Sequence, residues 1–158
     1  MEEYEYSLKV NSIKPYIEYC ENNSYEKISE VTQNRIVYEN KHSDKIIARI
    51  TTKIVNGKKN TVFDCKNVNK KDRDLNISSE SVPIKITKSN EKSIYSMLEV
   101  LDFYEAANNH RTRYVYKKQG VTFEIDDYIE PKMQVVGIEG IKDEVDKVYD
   151  ELTKLIGD

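Results

Sequence analysis

The chain has no tryptophan and is poor in cysteine, histidine, proline and glycine, with two, two, three and five copies respectively. Each shortage removes a class of protein. Cys20 and Cys65 lie outside any CxxC spacing and inside apolar-looking segments, which argues against a disulfide framework or structural zinc and predicts buried thiols. His42 and His110 have no paired ligand or nucleophile in view and read as surface or loop histidines. The prolines and glycines are scattered, so no low-complexity linker is indicated, and no internal repeat is present. No stretch approaches the roughly 20 apolar residues of a membrane span, and the acidic start, Met1 to Val10, lacks a basic-then-apolar signal. The expectation is a cytoplasmic protein without membrane contact. A net charge of -3 argues against nucleic acid as a partner, although such a sum is compatible with a strongly basic interior.

What the chain does have is periodicity. Its 158 residues suit one domain, residues 1–158, and its 38% hydrophobic residues fall in regular runs. Glu3, Glu5, Ser7 and Lys9 share one face of a first strand, with Tyr4, Tyr6, Leu8 and Val10 on the other. Ser12 is placed to cap a short helix with Pro15 in its first turn. Extended segments follow at Tyr25 to Glu39 and Lys45 to Val55, and Asn56-Gly57 is the strongest hairpin signal, with Thr61 to Asn67 returning. Asn69 to Ser81 is polar and reads as a loop or poorly formed strand, and Val82 to Lys88 as a short strand. Asn90 reads as an N-cap before a helix whose stripe is Ile94, Met97, Leu98 and Leu101. Arg111 to Lys118 and Val121 to Asp126 make a second hairpin around Gln119-Gly120, a further strand runs near Met133 to Glu139, and a final helix turns Val145, Val148, Leu152 and Leu155 inward. The class is α+β: about seven or eight antiparallel strands, with closure into a barrel hiding their edges.

The charges alternate with the same period. Arg49, Thr51 and Lys53 share a face, as do Arg111 and Arg113, Asp64 and Lys66, and Glu124 and Asp126. Solvated outer faces would give the same pattern. Turned inward, these faces form a basic wall opposite an acidic one, an arrangement suited to a triphosphate held by Arg and Lys with Mg²⁺ or Mn²⁺ on the carboxylates.

The order of short motifs resembles the CYTH family, the class IV adenylate cyclases and thiamine triphosphatases. Glu3-Tyr4-Glu5-Tyr6-Ser7 is similar to its opening E-x-E-x-K, with Ser7 for Lys and Lys9 on the same face. Asp44 to Thr51 resembles the R-x-R strand with Thr51 for the second arginine, and Thr61 to Lys66 the strand that ends in a phosphate-contacting lysine. Arg111-Thr112-Arg113-Tyr114-Val115-Tyr116, then Val121 to Asp126, then Gly137-Ile138-Glu139-Gly140 follow the family order, with Gly137 where a first glutamate is expected. Near Arg73, Leu75 and Ile77 stand where the family carries acids. The resemblance implies a closed or nearly closed β-barrel tunnel with flanking helices. It implies phosphate contacts from Lys9, Arg35, Arg49, Lys53, Lys66, Arg111 and Arg113, and metal ligation by Glu3, Glu5, Asp126 and Glu139. The activity implied is metal-dependent hydrolysis of inorganic triphosphate, thiamine triphosphate or a nucleoside triphosphate. The alternatives are cyclisation, as in an adenylate cyclase, and a module that only binds polyphosphate or nucleotide. A homodimer is left open.

Overall fold

The computed structural model describes residues 2–157. In chain order the elements are β1 (Glu2–Val10), α1 (Lys14–Asn22), β2 (Glu26–Asn40), β3 (Ser43–Val55), β4 (Lys58–Asp72), β5 (Leu75–Glu80), β6 (Ile84–Lys85), α2 (Glu91–Val100), β7 (Phe103–Lys118), β8 (Val121–Glu130), β9 (Met133–Gly140) and α3 (Lys142–Leu152), with a π-helical turn at Thr153–Gly157. Antiparallel pairing runs β3–β2–β7–β8–β9–β1–β5–β4, and β4 also pairs with β3, so eight strands close on themselves. Closure satisfies every long strand on both sides over part of its length, which is how the fold hides its edges. β6 adds only two residues to β4.

The apolar core lies outside the barrel. Period-2 alternation gives each strand a hydrophobic outer face, and helices cover it. One cluster packs Tyr19 and Cys20 of α1 and Val145, Val148 and Leu152 of α3 against Phe123, Ile125, Val136 and Ile138, with Tyr4, Tyr6 and Tyr114 at its margin. A second packs Ile94 and Leu98 of α2 on Ala48, Ile50 and Phe63, beside Tyr38. The outer face of β1 is tied to α3 by Asp146, whose Oδ1 accepts from the Tyr4 and Tyr6 hydroxyls at 2.6 and 2.7 Å, while Tyr6 stacks on Tyr149 at 3.9 Å.

Local chemistry sets most boundaries. Asn56 and Gly57 both have positive φ, 53 and 76°, as the tight turn between β3 and β4 requires. The structure departs from expectation at several places. Asn69 to Ser81 is ordered strand, with β4 running to Asp72 and β5 pairing with β1 and β4. The Val82 to Lys88 run shrinks to β6. Ile13, not Ser12, is the N-cap of α1, and the Ser12 hydroxyl accepts from Lys14 N–H at 3.3 Å. In α2 only Ile94 and Leu98 of the stripe are buried, because one barrel face supports a narrow strip; Met97 and Leu101 are exposed, as is Leu155 beyond α3. Both cysteines are free, Cys20 buried and Cys65 half-buried.

Candidate active site

The inner faces of the strands enclose a cavity of about 850 Å³. Three contiguous strands form its basic wall: Arg49 from β3, Arg35 from β2, and Arg111 and Arg113 from β7. The remaining strands supply carboxylates, Glu124 and Asp126 from β8, Glu139 from β9, Glu3 and Glu5 from β1, Glu80 from β5, and Asp64 beside Lys66 from β4. The sorting follows from parity: cross-strand partners point to the same side, so Glu5 opposite Glu139 and Arg113 opposite Asp126 share the interior.

Two arginines are already paired. Arg113 grips Asp126 through Nε at 2.8 Å and Nη2 at 2.9 Å and reaches Glu124 at 3.1 Å. Arg49 donates through Nε and Nη2 to Asp64 and through Nη2 to Glu80. Burial opposes charge on both guanidiniums, and the facing carboxylates override it and raise their pKa values. Arg111 is tied mainly to neutral groups, Gln33 Oε1 at 3.1 and 3.3 Å and the Tyr128 hydroxyl at 2.8 Å, with Asp126 at 3.5 Å. Arg35 donates from Nε to Thr51 Oγ1 at 2.9 Å, and among the described residues its terminal nitrogens have no partner. Burial, then repulsion from Arg111, Arg113 and Arg49, push Arg35 down to about 9. It remains charged at neutral pH and is therefore a cation short of an anion.

Across the lumen, Glu3, Glu5 and Glu139 bring one oxygen each within 4.8 Å of one another. Burial and mutual repulsion raise all three carboxyls, Glu3 to about 7 and Glu139 to about 10. Glu80, despite burial, is held down to about 2 by hydrogen bonds with Glu3 and Arg49. The Ser78 hydroxyl, on the same face and directly opposite Glu3, is buried and has no hydrogen-bond partner among the described residues. Crowded carboxylates, all oxygen donors, beside an orphan hydroxyl fit a hard divalent cation. Gly137 contributes by its smallness: a Cβ there would lie 3.2 Å from Glu5 Oε2.

Of the residues the sequence singled out, Arg35, Arg49, Lys66, Arg111, Arg113, Glu3, Glu5, Asp126 and Glu139 line the cavity. Asp126 sits with the arginines and stands apart from the three clustered glutamates. Lys9 and Lys53 do not line the cavity; Lys9 lies exposed near the far end of β1, so it does not replace the missing lysine at Ser7. Glu80, Gln33 and Tyr128 were missed. Leu75 and Ile77 pair with Tyr6 and Tyr4 and so face outward; the inward positions of β5 are Asn76, Ser78 and Glu80.

No protein-family model matches the sequence, and no curated protein does. Solved structures do match in shape. A conserved hypothetical protein from Pyrococcus furiosus is 22% identical with a TM-score of 0.73, over 98% of this chain and 90% of that one. The Hippeastrum protein HpAC1, described as having a dominant triphosphatase activity, is 13% identical with a TM-score of 0.68, over 96% and 86%. A candidate adenylate cyclase from Vibrio parahaemolyticus is 13% identical with a TM-score of 0.60, over 98% and 86%. At these identities the likeness shows the fold, a CYTH-like closed antiparallel barrel with flanking helices.

Proposed function

We propose that the protein is a phosphohydrolase that binds a triphosphate compound in the barrel lumen and uses Mg²⁺ or Mn²⁺ held by Glu3, Glu5 and Glu139. The observation that carries this reading is the division of the lumen into an arginine wall and a carboxylate wall, with Arg35 lacking an anion and three glutamates crowded opposite.

Arg35, Arg111 and Lys66 would contact non-bridging phosphate oxygens, Arg35 through its two unused terminal nitrogens. Arg113 and Arg49 are positioned by their carboxylates and supply field more than new hydrogen bonds. Glu3, Glu5 and Glu139 would hold a divalent ion, which would supply positive charge against the negative charge developing on phosphoryl transfer. Positioning and electrostatics are most of what such a reaction requires. Hydrolysis is favoured over cyclisation because, among the described residues, Tyr128 is the one aromatic side chain lining the cavity, and it is already engaged by Arg111 at its hydroxyl and ring and only 8% exposed, which makes it a poor platform for a base. Any organic portion of the substrate would extend to the rim at Ser81 to Pro83, where Val82 is 83% exposed.

The prior pairing of Arg49 and Arg113 favours one second reading, a module that binds polyphosphate or nucleotide without turnover. The test is phosphate release and cyclic-nucleotide formation from inorganic triphosphate, ATP and thiamine triphosphate with Mg²⁺ or Mn²⁺, comparing wild type with Glu5→Gln and Arg35→Ala. Each substitution should lower kcat/KM by about 10²-fold or more. Binding without metal-dependent turnover selects the module, and absence of both binding and turnover removes the triphosphate reading.

A further inference from the structure

We infer that the β3–β4 hairpin continues the arginine wall beyond the lumen as a second phosphate-binding surface, built on Lys53, Asn60 and Lys58, which takes the part of a linear polyphosphate that the cavity does not hold. The inference rests on the phosphate-binding reading above and adds a substrate class, chains longer than tripolyphosphate.

Strand order places the hairpin. Antiparallel pairing all round the barrel puts the Asn56-Gly57 turn at the same end as the start of β1 and the ends of β5 and β9, where Glu3, Glu80 and Glu139 stand. β4 pairs with β5 only from Lys66, opposite Glu80, yet it begins at Lys58, which leaves about 26 Å of strand beyond the end of β5. Along that length only two-residue β6 pairs with the edge that β5 leaves, among the described residues.

Parity sets which way the charges face. Arg49 lines the lumen and Thr51 Oγ1 accepts from Arg35 Nε at 2.9 Å, so Lys53 continues an inward face. Lys53 is in register with Asn60, and Lys58 stands two residues from Asn60 on the same side. The other face is marked by Thr52 and Thr61, whose hydroxyls meet at 3.0 Å. Lys53 is half-buried and Lys58 exposed, and among the described residues neither enters an ion pair. Their cross-strand neighbours are uncharged, Gln33 and Asn60 for Lys53 and Val55 for Lys58. Lys117 of β7, by contrast, faces Glu26 in register.

Two cations without anions, in line with Arg49 and Arg35, suit a ligand whose negative charge repeats along its length. No aromatic side chain shares this face of the hairpin, which Thr51, Val55 and Val62 complete. It therefore offers no platform on which a nucleic-acid base would stack.

The test is titration calorimetry with Mg²⁺ at several salt concentrations, using inorganic tripolyphosphate and a linear polyphosphate of defined, several-fold greater length. The plot of log Kd against log salt should be steeper for the longer chain by about 2, one for each lysine. In the double variant Lys53→Gln, Lys58→Gln that slope should fall to the tripolyphosphate value, and the long-chain affinity relative to tripolyphosphate should drop by about 3–10-fold. Lys70→Gln with Lys71→Gln, exposed near the other end of β4, should leave both quantities as in wild type. Should the double variant fail to melt cooperatively, Lys58→Gln alone, at an exposed position, should lower the slope by about 1. Equal slopes for the two ligands in wild type, or an unchanged affinity ratio in the lysine variants, overturn the inference. So does displacement of the polyphosphate by a single-stranded oligonucleotide at equal phosphate concentration. If tripolyphosphate itself fails to bind, the lumen reading falls and this one with it; tripolyphosphate binding with no effect of chain length removes this one alone.

Discussion

Replacing Arg113 by Met tests how the lumen is held together. The guanidinium makes three hydrogen bonds to two carboxylates, and its partner Asp126 is 4% exposed. Without it the one cation left beside Asp126 among the described residues is Arg111, at 3.5 Å. Removing one partner of a buried ion pair costs about 3–5 kcal/mol because the other charge is stranded. Arg113 is itself 14% exposed toward the cavity water, which places the expected loss at the lower end, about 3 kcal/mol. At about 2–4 °C per kcal/mol for a chain of this size, Tm should fall by about 6–12 °C. Urea unfolding of wild type, Arg113→Met, Asp126→Asn and the double variant gives the coupling directly. The double variant should be more stable than the sum of the single losses by about 1 kcal/mol or more. Additivity to within about 0.5 kcal/mol would refute the claim that Asp126 is held chiefly by Arg113.

The metal-free protein should lose stability as pH rises from ordinary carboxyl values toward neutrality. Folding raises Glu3 to about 7 and Glu139 to about 10, so the folded state keeps protons that the unfolded chain has released. The slope approaches about 1.4 kcal/mol per pH unit for one whole proton, reduced at partly exposed Glu3 by solvent screening. Melting in EDTA between about pH 5.5 and 7.5 should show Tm falling, and Mg²⁺ or Mn²⁺ should restore more at the higher pH; a rising Tm would contradict the carboxylate geometry. Glu80, held down to about 2, acts in the opposite sense but only in acid, below that window. Two glycine substitutions should separate sharply. Gly57→Ala meets no atom within 4 Å and pays only for positive φ, about 1 kcal/mol. Gly140→Ala would put Cβ 2.0 Å from Gly120 O, the acceptor for Ile141 N–H, and should cost about 3 kcal/mol. Equal losses in chemical denaturation would overturn that distinction.

The sequence was most legible where one residue pattern determines one local outcome. The alternation of β1, the Asn56-Gly57 turn and the Ile94 and Leu98 pair each identify an element from neighbours in the chain. The inward turning of the charges was not legible from period alone, because a strand with one polar face looks the same whichever side water is on. Glu80 escaped for a related reason. A strand's parity is fixed by its partners, and reading β5 one residue out assigns Leu75 and Ile77 to the lumen and hides Glu80. The Gln33–Arg111–Tyr128 contact joins three strands distant in sequence, and no local signal marks it.

A barrel whose apolar packing lies on its outside is a wall with two independent inscriptions. Residues of one parity are read by α1, α2 and α3 and govern whether the chain folds; residues of the other are read by whatever occupies the lumen. Ser7 and Gly137 illustrate the independence, since both line the lumen at positions where lysine and glutamate were expected, and neither enters the outer clusters. Such a wall lets the inner text be rewritten letter by letter while the outer text stays fixed, so its chemistry can drift over a scaffold that never has to be rebuilt.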